Sequence, residues 1–336
     1  MDFQLSDDQR ALRSGMRALL GAAFDRGRLR AAVERGGGVD RGLWRELGAA
    51  GFFALRLPEE AGGVGLGLPE AVLLFEEAGR ALLPGPLVAT HLAAGLVKGA
   101  AEGEAVVTAS EGGGLPVADL GGADAVLVAG GVLTGEELAA FVAGARPVRS
   151  MDPLTPLHRA EGVAVDVKGP AAGGEGLVAA AEAYPGALRG EGALLTAAEQ
   201  LGSAARTTEM AVQHARTREQ FGSLIGSFQA VKHLCADMLA RTEPARSAVY
   251  AAAVTGDPVE IAAAKLLADD AAVRNARDCL QIHGGMGFTW EADVHLHLKR
   301  AWLRAARWLT AAEAEEILAV GLGPVRPLYG GSAALG

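Results

Sequence analysis

Residues that repeat with the period of an α-helix dominate the C-terminal part of the chain, and this pattern limits the possible folds more than any other feature. Helical spacing predicts four helices, over residues 194–217, 228–254, 258–283 and 293–320. The second of them carries a single apolar stripe, formed by Phe228, Val231, Leu234, Cys235, Met238 and Leu239. Because long amphipathic helices bury such stripes against one another, we predict a helical bundle.

The first hundred residues have helical spacing as well, and a different pattern follows them. Ser6 stands where it can cap the first helix, and Pro69 stands in the first turn of a later one. From about residue 104 to 168 the chain has short β-like runs, separated by Gly, Pro and Asp, with one helical piece near residues 135–141. The β-like runs are residues 104–109, 124–130, 146–151 and 162–167. The sequence therefore predicts a mainly α protein with a small β domain. We expect an N-terminal helical domain, a middle β domain, a C-terminal helical bundle and a tail, with bounds 1–103, 104–175, 176–325 and 326–336.

Charge and hydropathy argue against several classes of function. The net charge of −9 opposes a general affinity for nucleic acid, because phosphate backbones bind to basic surfaces. No apolar run approaches the ~20 residues that span a bilayer, and the acidic start lacks a secretory pattern. We therefore expect a cytoplasmic protein without membrane insertion. Cys235 and Cys279 cannot form a metal site by themselves, and we expect reduced core thiols and no metal.

Two stretches combine polar side chains with glycines inside otherwise helical sequence: RTREQFGSLIGSFQ (residues 216–229) and QIHGGMGFTWE (residues 281–291). A guanidinium can donate two parallel hydrogen bonds to phosphate oxygens, and an adjacent glycine lets the backbone approach a ligand. The pattern therefore favours a surface for a phosphate-bearing cofactor. The alternative is that Arg218 lies on a solvated helix end and that the glycines only end a helix. GVGLG at residues 63–67 is no dinucleotide fingerprint, because no strand precedes it.

These two stretches, together with MDFQLSDDQ, LPEEAGGVGLG, EEAGRALLPGP and SMDPLTPL elsewhere in the chain, resemble the acyl-CoA dehydrogenase family nearly from end to end. The resemblance implies an N-terminal helical domain, a middle β domain and a C-terminal four-helix bundle. It also implies an enzyme that uses FAD to desaturate CoA thioesters and passes electrons to an acceptor protein.

The resemblance further implies which residues contact FAD. In the family, the arginine of the R-x-x-F-G element binds the FAD pyrophosphate of the neighbouring subunit, and here that residue is Arg218. The Q-x-x-G-G element receives the ADP part of the same cofactor, and a threonine further on lies close to the adenine. The matching positions in this chain are Arg218, Phe221 with Gly222, Gln229, Gln281, Gly284, Gly285 and Thr310.

The family's catalytic glutamate is missing from both positions where the spacing puts it. Desaturation needs a carboxylate within hydrogen-bond reach of the proton next to the thioester. Counting 24 residues beyond Gly284 leads to Trp308, and the position used by some relatives, 30 residues before Gly222, is Gly192. Neither residue is a base.

Three carboxylates remain near these positions. Glu191 is one residue from the alternative position, but one helical step turns a side chain by ~100°. Glu313 and Glu315 lie further along the chain, where the pattern is typical of a solvated helix face.

The predicted β domain also lacks most of the segments that seat the flavin ring in complete members of the family, and we interpret it as shortened. The chain is therefore most similar to the short subunit of heteromeric bacterial acyl-CoA dehydrogenases of steroid degradation, in which a longer partner subunit brings the base. The resemblance implies a hetero-oligomer acting on an acyl-CoA thioester. Two alternatives stay open: a self-sufficient homo-oligomeric dehydrogenase with an atypical base such as Glu191, and a non-catalytic structural or CoA-ester-binding relative.

Overall fold

A computed structural model describes residues 4–112, 114–129, 131–160, 184–321 and 323. Its N-terminal part is helical, as the sequence predicts. Ser6 caps the first helix, and the Gln9 side chain returns a hydrogen bond to the Ser6 backbone, which satisfies two backbone N–H groups at once. The five helices of this part are α1 (Asp7–Ala23), α2 (Arg26–Glu34), α3 (Arg41–Ala49), α4 (Leu68–Arg80) and α5 (Leu87–Leu92).

Two small sheets and one helix form the β region. The strands are β1 (Val107–Ala109), β2 (Val117–Ala118), β3 (Ala125–Val128), β4 (Gly131–Leu133), β5 (Ala145–Val148) and β6 (Leu157–Ala160), and the helix is α6 (Gly135–Ala143). One sheet has the order β1-β3-β4, with β1 and β3 parallel, and the other has the antiparallel order β2-β6-β5. Strands predicted near residues 104–109, 124–130 and 146–151 are confirmed, whereas the run at 162–167 and the proposed boundary at 175 lie outside the described residues.

Five helices and a short hairpin form the C-terminal part. They are α7 (Tyr184–Thr217), the hairpin strands β7 (Glu219–Gln220) and β8 (Ser223–Leu224), α8 (Gln229–Thr255), α9 (Pro258–His283), α10 (Val294–Ala305) and α11 (Ala311–Gly321). Helix α9 packs against both other long helices, and α10 and α11 cover a further side of it. The protein is thus mainly α with small sheets, as predicted. Among the described residues, no helix is long and apolar enough to cross a bilayer.

The prediction of one continuous helix over residues 293–320 is wrong, because the structure has two helices separated near Trp308. Trp308 has a positive φ of 62°, which a right-handed helix excludes. Its backbone N–H donates to the side chain of Glu111 in the β region instead of to a carbonyl one turn earlier. A contact from a distant part of the chain therefore interrupts the helix.

Helix α4 and helix α7 approach each other closely through two glycines. A methyl group added at Gly202 would overlap the carbonyl oxygen of Glu76, and one added at Gly79 would overlap that of Glu199. Both positions are helical, so glycine is needed here for space rather than for an unusual backbone conformation. This contact joins the N-terminal helices to the C-terminal bundle within one hydrophobic core.

We expect Gly202→Ala to lower the free energy of unfolding by about 1–3 kcal/mol, because the added methyl group forces the two helices apart. Gly15→Ala is the matched control, since no atom lies within 4 Å of its added methyl group in the middle of α1. That change should raise stability by up to about 1 kcal/mol through helix propensity. Urea unfolding of both variants measures the difference, and equal effects would contradict the close packing of α4 on α7.

Candidate functional site

The first of the two glycine-containing stretches folds as a tight hairpin at the end of α7. The backbone N–H of Arg218 donates to the carbonyl of His214 at 2.9 Å, which continues the helical bonding by one residue. The backbone N–H of Ile225 donates to the carbonyl of Arg218 at 2.8 Å, and this hydrogen bond closes the hairpin. At its tip Phe221 and Gly222 both have positive φ, 54° and 74°, as a two-residue turn of the primed type requires.

Phe221 is unusual in two ways that point to a function. Its left-handed backbone costs roughly 1–2 kcal/mol for a residue other than glycine. Its side chain is also 95% exposed, with only an edge-on contact to Phe228. The turn uses this backbone conformation, but the exposed phenyl ring adds nothing to the core, and strained, exposed residues of this kind concentrate at binding sites.

Helix α9 ends within the second stretch, and the backbone of the two glycines that follow is accessible from outside. Gly284 has a φ of 60°, and its N–H donates to the carbonyl of Gln281. Methyl groups added at Gly284 or Gly285 would meet nothing within 4 Å. The two glycines therefore offer an unobstructed backbone to a ligand approaching from outside, which fits the phosphate-binding interpretation.

Two stacked imidazoles join the stretches. The rings of His214 and His283 lie 4.1 Å apart between centroids and are nearly parallel. Partial burial, together with His283 and Arg218, lowers the pKa of His214, so its ring is neutral near neutral pH. The end of α7 and the end of α9 therefore form one surface, which we name the hairpin surface and which includes the side chains of Arg218, Phe221, Gln229 and Gln281.

Two arginines from α2 fix the chain just after the second stretch. Arg26 and Arg30 both form ion pairs with Asp293, and they donate to the backbone carbonyls of Glu291 and Trp290. The sequence analysis missed this pair of contacts, because the two segments lie far apart along the chain. The N-terminal helices thus help to position the hairpin surface.

Thr310 lies far from the other predicted cofactor residues. It begins helix α11, where its hydroxyl donates to Glu313 at 2.8 Å, and Glu313 also pairs with Arg189 near the start of α7. Arg218 follows the opposite end of α7. The helical rise from Arg189 to Arg218 separates these two residues by about 40 Å. The structure therefore brings the other predicted positions to one end of α7 and leaves Thr310 near the opposite end.

Comparison with known proteins identifies the family of this chain. Residues 6–102 match the acyl-CoA dehydrogenase N-terminal domain, and residues 189–316 match the acyl-CoA dehydrogenase C-terminal domain. The chain is 34% identical over 311 residues to the acyl-CoA dehydrogenase IpdE2 of Mycobacterium tuberculosis, covering 88% of this chain and 91% of that protein. The chain belongs to the acyl-CoA dehydrogenase family.

Solved structures of the family share the fold at lower identity. A chain of the ChsE4–ChsE5 complex from Mycobacterium tuberculosis has a TM-score of 0.76 and 24% identity, covering 97% of this chain and all of that one. A variant of the Tcur3481–Tcur3483 steroid ACAD has a TM-score of 0.75 and 22% identity, covering 95% and 99%. The membership predicted from the sequence is confirmed.

The two positions where the resemblance places a catalytic carboxylate lie against each other. A methyl group added at Gly192 would overlap the indole ring of Trp308, so the ring fills the space that a side chain at position 192 needs. Trp308 is held there from the β region by Glu111, which accepts its backbone N–H and pairs with Arg307. Sequence reasoning identified both positions but did not reveal their contact, and it missed Glu111.

Glu191, the remaining candidate for a base on α7, forms a partly buried ion pair with Arg56. It lines neither of the two cavities beside Trp308. The larger of them, which we name the outer cavity, has a volume of about 660 Å³ and lies between β1, β3, the start of α7 and the segment that joins α10 to α11. Glu111 and Glu313 line it, whereas Glu315 is exposed on α11.

We expect Gly192→Ala to destabilise the wild-type chain by about 1–3 kcal/mol, because the new methyl group collides with the indole of Trp308. In a Trp308→Ala background, the same change should be neutral or stabilising by up to about 1 kcal/mol. A double-mutant cycle by urea unfolding measures this coupling. An identical effect in both backgrounds would show that the ring does not rest on Gly192.

Proposed function

We propose that this chain is a subunit of a heteromeric, FAD-dependent acyl-CoA dehydrogenase that desaturates a CoA thioester. In this proposal it contributes contacts to the ADP half of FAD at an interface, and a longer partner subunit supplies the catalytic base. The observation that supports the proposal is the location of the predicted cofactor-binding positions near opposite ends of α7.

That division requires a second subunit if all the positions serve FAD. About 40 Å of helix separates Thr310 from Arg218, which is more than one dinucleotide cofactor spans. One cofactor can therefore contact both groups only when they come from different chains. Exposed apolar side chains at the hairpin surface support such an interface, since an isolated chain gains nothing from them: Phe221, Leu224, Phe228, Met286, Phe288 and Trp290.

The side chains of the hairpin surface suit the nucleotide end of FAD. The exposed guanidinium of Arg218 can donate two parallel hydrogen bonds to the pyrophosphate. Gly284 and Gly285 leave their backbone accessible, and Gln229 and Gln281 add amide groups at the same surface. FAD held by these residues would supply the hydride acceptor for desaturation, and the proposal includes an electron-accepting protein as a further partner.

The carboxylates of the outer cavity favour a partner that brings the base. Glu111 is engaged by Arg307 and by the backbone of Trp308. The hydrogen bond from Arg189, with the backbone N–H of Thr310, lowers the pKa of Glu313 to about 2. A group this acidic is a weak base at neutral pH. Neither carboxylate is therefore suited to removing a proton from a thioester.

The relatives favour a two-component enzyme and a steroid-derived substrate. One structural neighbour is a chain of the ChsE4–ChsE5 complex, and another belongs to a steroid ACAD named for two proteins. We extend both properties to this chain as part of the proposal. The alternatives, a self-sufficient dehydrogenase with an atypical base and a non-catalytic CoA-ester-binding relative, give different results in the two experiments below.

We expect the purified chain alone to contain little FAD and to lack dehydrogenase activity, because it provides only part of the cofactor site. Co-expression with a longer family member encoded beside it should yield a stable complex with stoichiometric flavin and turnover. Flavin absorbance and reduction of an artificial electron acceptor measure both properties. Full flavin content and activity in the isolated chain would refute the proposal and favour the self-sufficient alternative.

In that complex, we expect Arg218→Ala to reduce flavin content at least tenfold at limiting FAD, because removing a charge-assisted contact to phosphate costs about 1.5–3 kcal/mol. Arg216→Ala is the matched control, since Arg216 is also exposed and lies two residues earlier on α7. The control should bind FAD like the wild type. If Arg218→Ala changes neither flavin content nor activity, the non-catalytic alternative gains support.

A further inference from the structure

A second, smaller cavity lies beside the outer cavity and is lined by buried charged side chains. This inner pocket has a volume of about 80 Å³ and lies where α5, the strands β1 and β2, α7 and α10 meet. Trp308 lines both cavities. Since one water needs roughly 10–15 Å³ on this measure, the inner pocket has room for about five to eight water-sized groups.

Three buried polar atoms around the inner pocket have no hydrogen-bond partner in the described part of the chain. They are Oδ1 of Asp119, Nη2 of Arg300 and Nη1 of Arg304. The three residues line the pocket and are only 4%, 4% and 6% exposed. Buried polar groups are rarely left unpaired, because each then loses its hydration without compensation. Three of them around one cavity indicate a polar occupant.

Asp119 differs from the other carboxylates around the inner pocket, because each of those is paired with an arginine. Arg300 pairs with Asp152, Arg304 with Glu199 and Arg307 with Glu111, which balances three cations against three anions. No salt bridge that the structure describes includes Asp119. The charged and titratable side chains around it are Arg300, Arg304, Arg307, Asp152, Glu199, Glu111 and His158.

Burial determines the protonation of Asp119. It raises the pKa of Asp119 to about 7, against the opposing influence of Arg300 and Arg307 and with a smaller contribution from Asp152 in the same direction. Below that pKa the Asp119 carboxyl is neutral and can donate a hydrogen bond. All three unpaired groups around the pocket are then donors, which suits an occupant with acceptor oxygens only.

We propose that the inner pocket binds a compact carboxylate, which accepts hydrogen bonds from the free N–H groups of Arg300 and Arg304 and lies against the unpaired carboxyl of Asp119. The group is either a free small acid or the carboxylate end of a longer molecule that enters from the outer cavity past Trp308. The inner pocket meets α7 at Thr196 and Glu199, about 30 Å along the helix from Arg218. It therefore does not depend on the function proposed above.

Binding in this way is coupled to the uptake of one proton. An ionised Asp119 repels a second carboxylate and has no proton to donate, so the affinity must fall as the pH rises through about 7. For a single group, the expected loss between pH 6 and pH 8 is about tenfold. Acetate itself stays ionised over this range and adds no pH dependence of its own.

The test is a titration of the full chain, alone or in complex with its partner, with ¹³C-labelled acetate at pH 6, 7 and 8. We expect saturable binding that weakens about tenfold from pH 6 to pH 8. Asp119→Asn keeps a donor at every pH, so acetate should bind this variant with nearly the same affinity throughout. Asp124→Asn, the same change five residues away at a side chain paired with Arg41, is the matched control and should bind like the wild type.

Absence of saturable acetate binding by the wild-type chain overturns the proposal, and so does a tenfold pH dependence that persists in Asp119→Asn. The wild-type pH series decides the matter even if the variant fails to fold. Binding of hexanoate distinguishes a free small acid from the carboxylate end of a longer molecule. A pocket for free small acids excludes hexanoate. A pocket reached through the outer cavity binds hexanoate at least as tightly as acetate. Neither outcome alters the flavin content of the complex, so this test and that of the proposed function can fail separately.

Discussion

The contacts of Arg300 join the three parts of this fold, and the arrangement of those parts depends on them. Its guanidinium, almost fully buried, pairs with Asp152 of the β region and donates to the carbonyl of Leu83 in the N-terminal part at 3.1 Å, while its backbone belongs to α10. A buried ion pair is expensive to desolvate, but breaking it by removing one partner costs about 3–5 kcal/mol. The angle between the β region and the helices is therefore fixed by charge as well as by apolar packing.

The same charged layer explains why the middle of the molecule contains cavities. Arg304 with Glu199 and Arg307 with Glu111 continue the layer toward Trp308. Planar guanidinium groups that satisfy carboxylates at fixed angles cannot also fill space as aliphatic side chains do. Gaps with polar walls remain beside Trp308, and the carboxylates that line them, apart from Asp119, are paired with arginines rather than available for chemistry.

Local patterns in the sequence predicted most of the helices, because spacing and capping act within a few residues. Ser6 and the bounds of α9 are examples: the cap and both ends can be read from neighbouring residues. The contacts that the sequence did not predict join distant segments. The break at Trp308 depends on Glu111, which lies 197 residues earlier, and the two-residue strand β2 exists only through its pairing with β6.

The candidate site likewise has one part that local sequence motifs predicted and another that depends on contacts between distant segments. The motifs located the predicted FAD-contacting residues of the hairpin surface, and the structure brings them to one end of α7, although their roles toward FAD stay predictions. The inner pocket was not predicted, because Asp119 and Arg300 have no motif and become notable only through burial and the absence of partners. Likewise, nothing in the sequence indicated that Thr310 would lie at the far end of a 34-residue helix.

The contact between Gly192 and Trp308 limits which single substitutions the protein tolerates at these two positions. A glutamate introduced at position 192 alone would collide with the indole, and one introduced at position 308 alone would leave a void over a glycine. Either single step passes through a less stable protein. A carboxylate at either position is therefore compatible with this packing only when both residues change together.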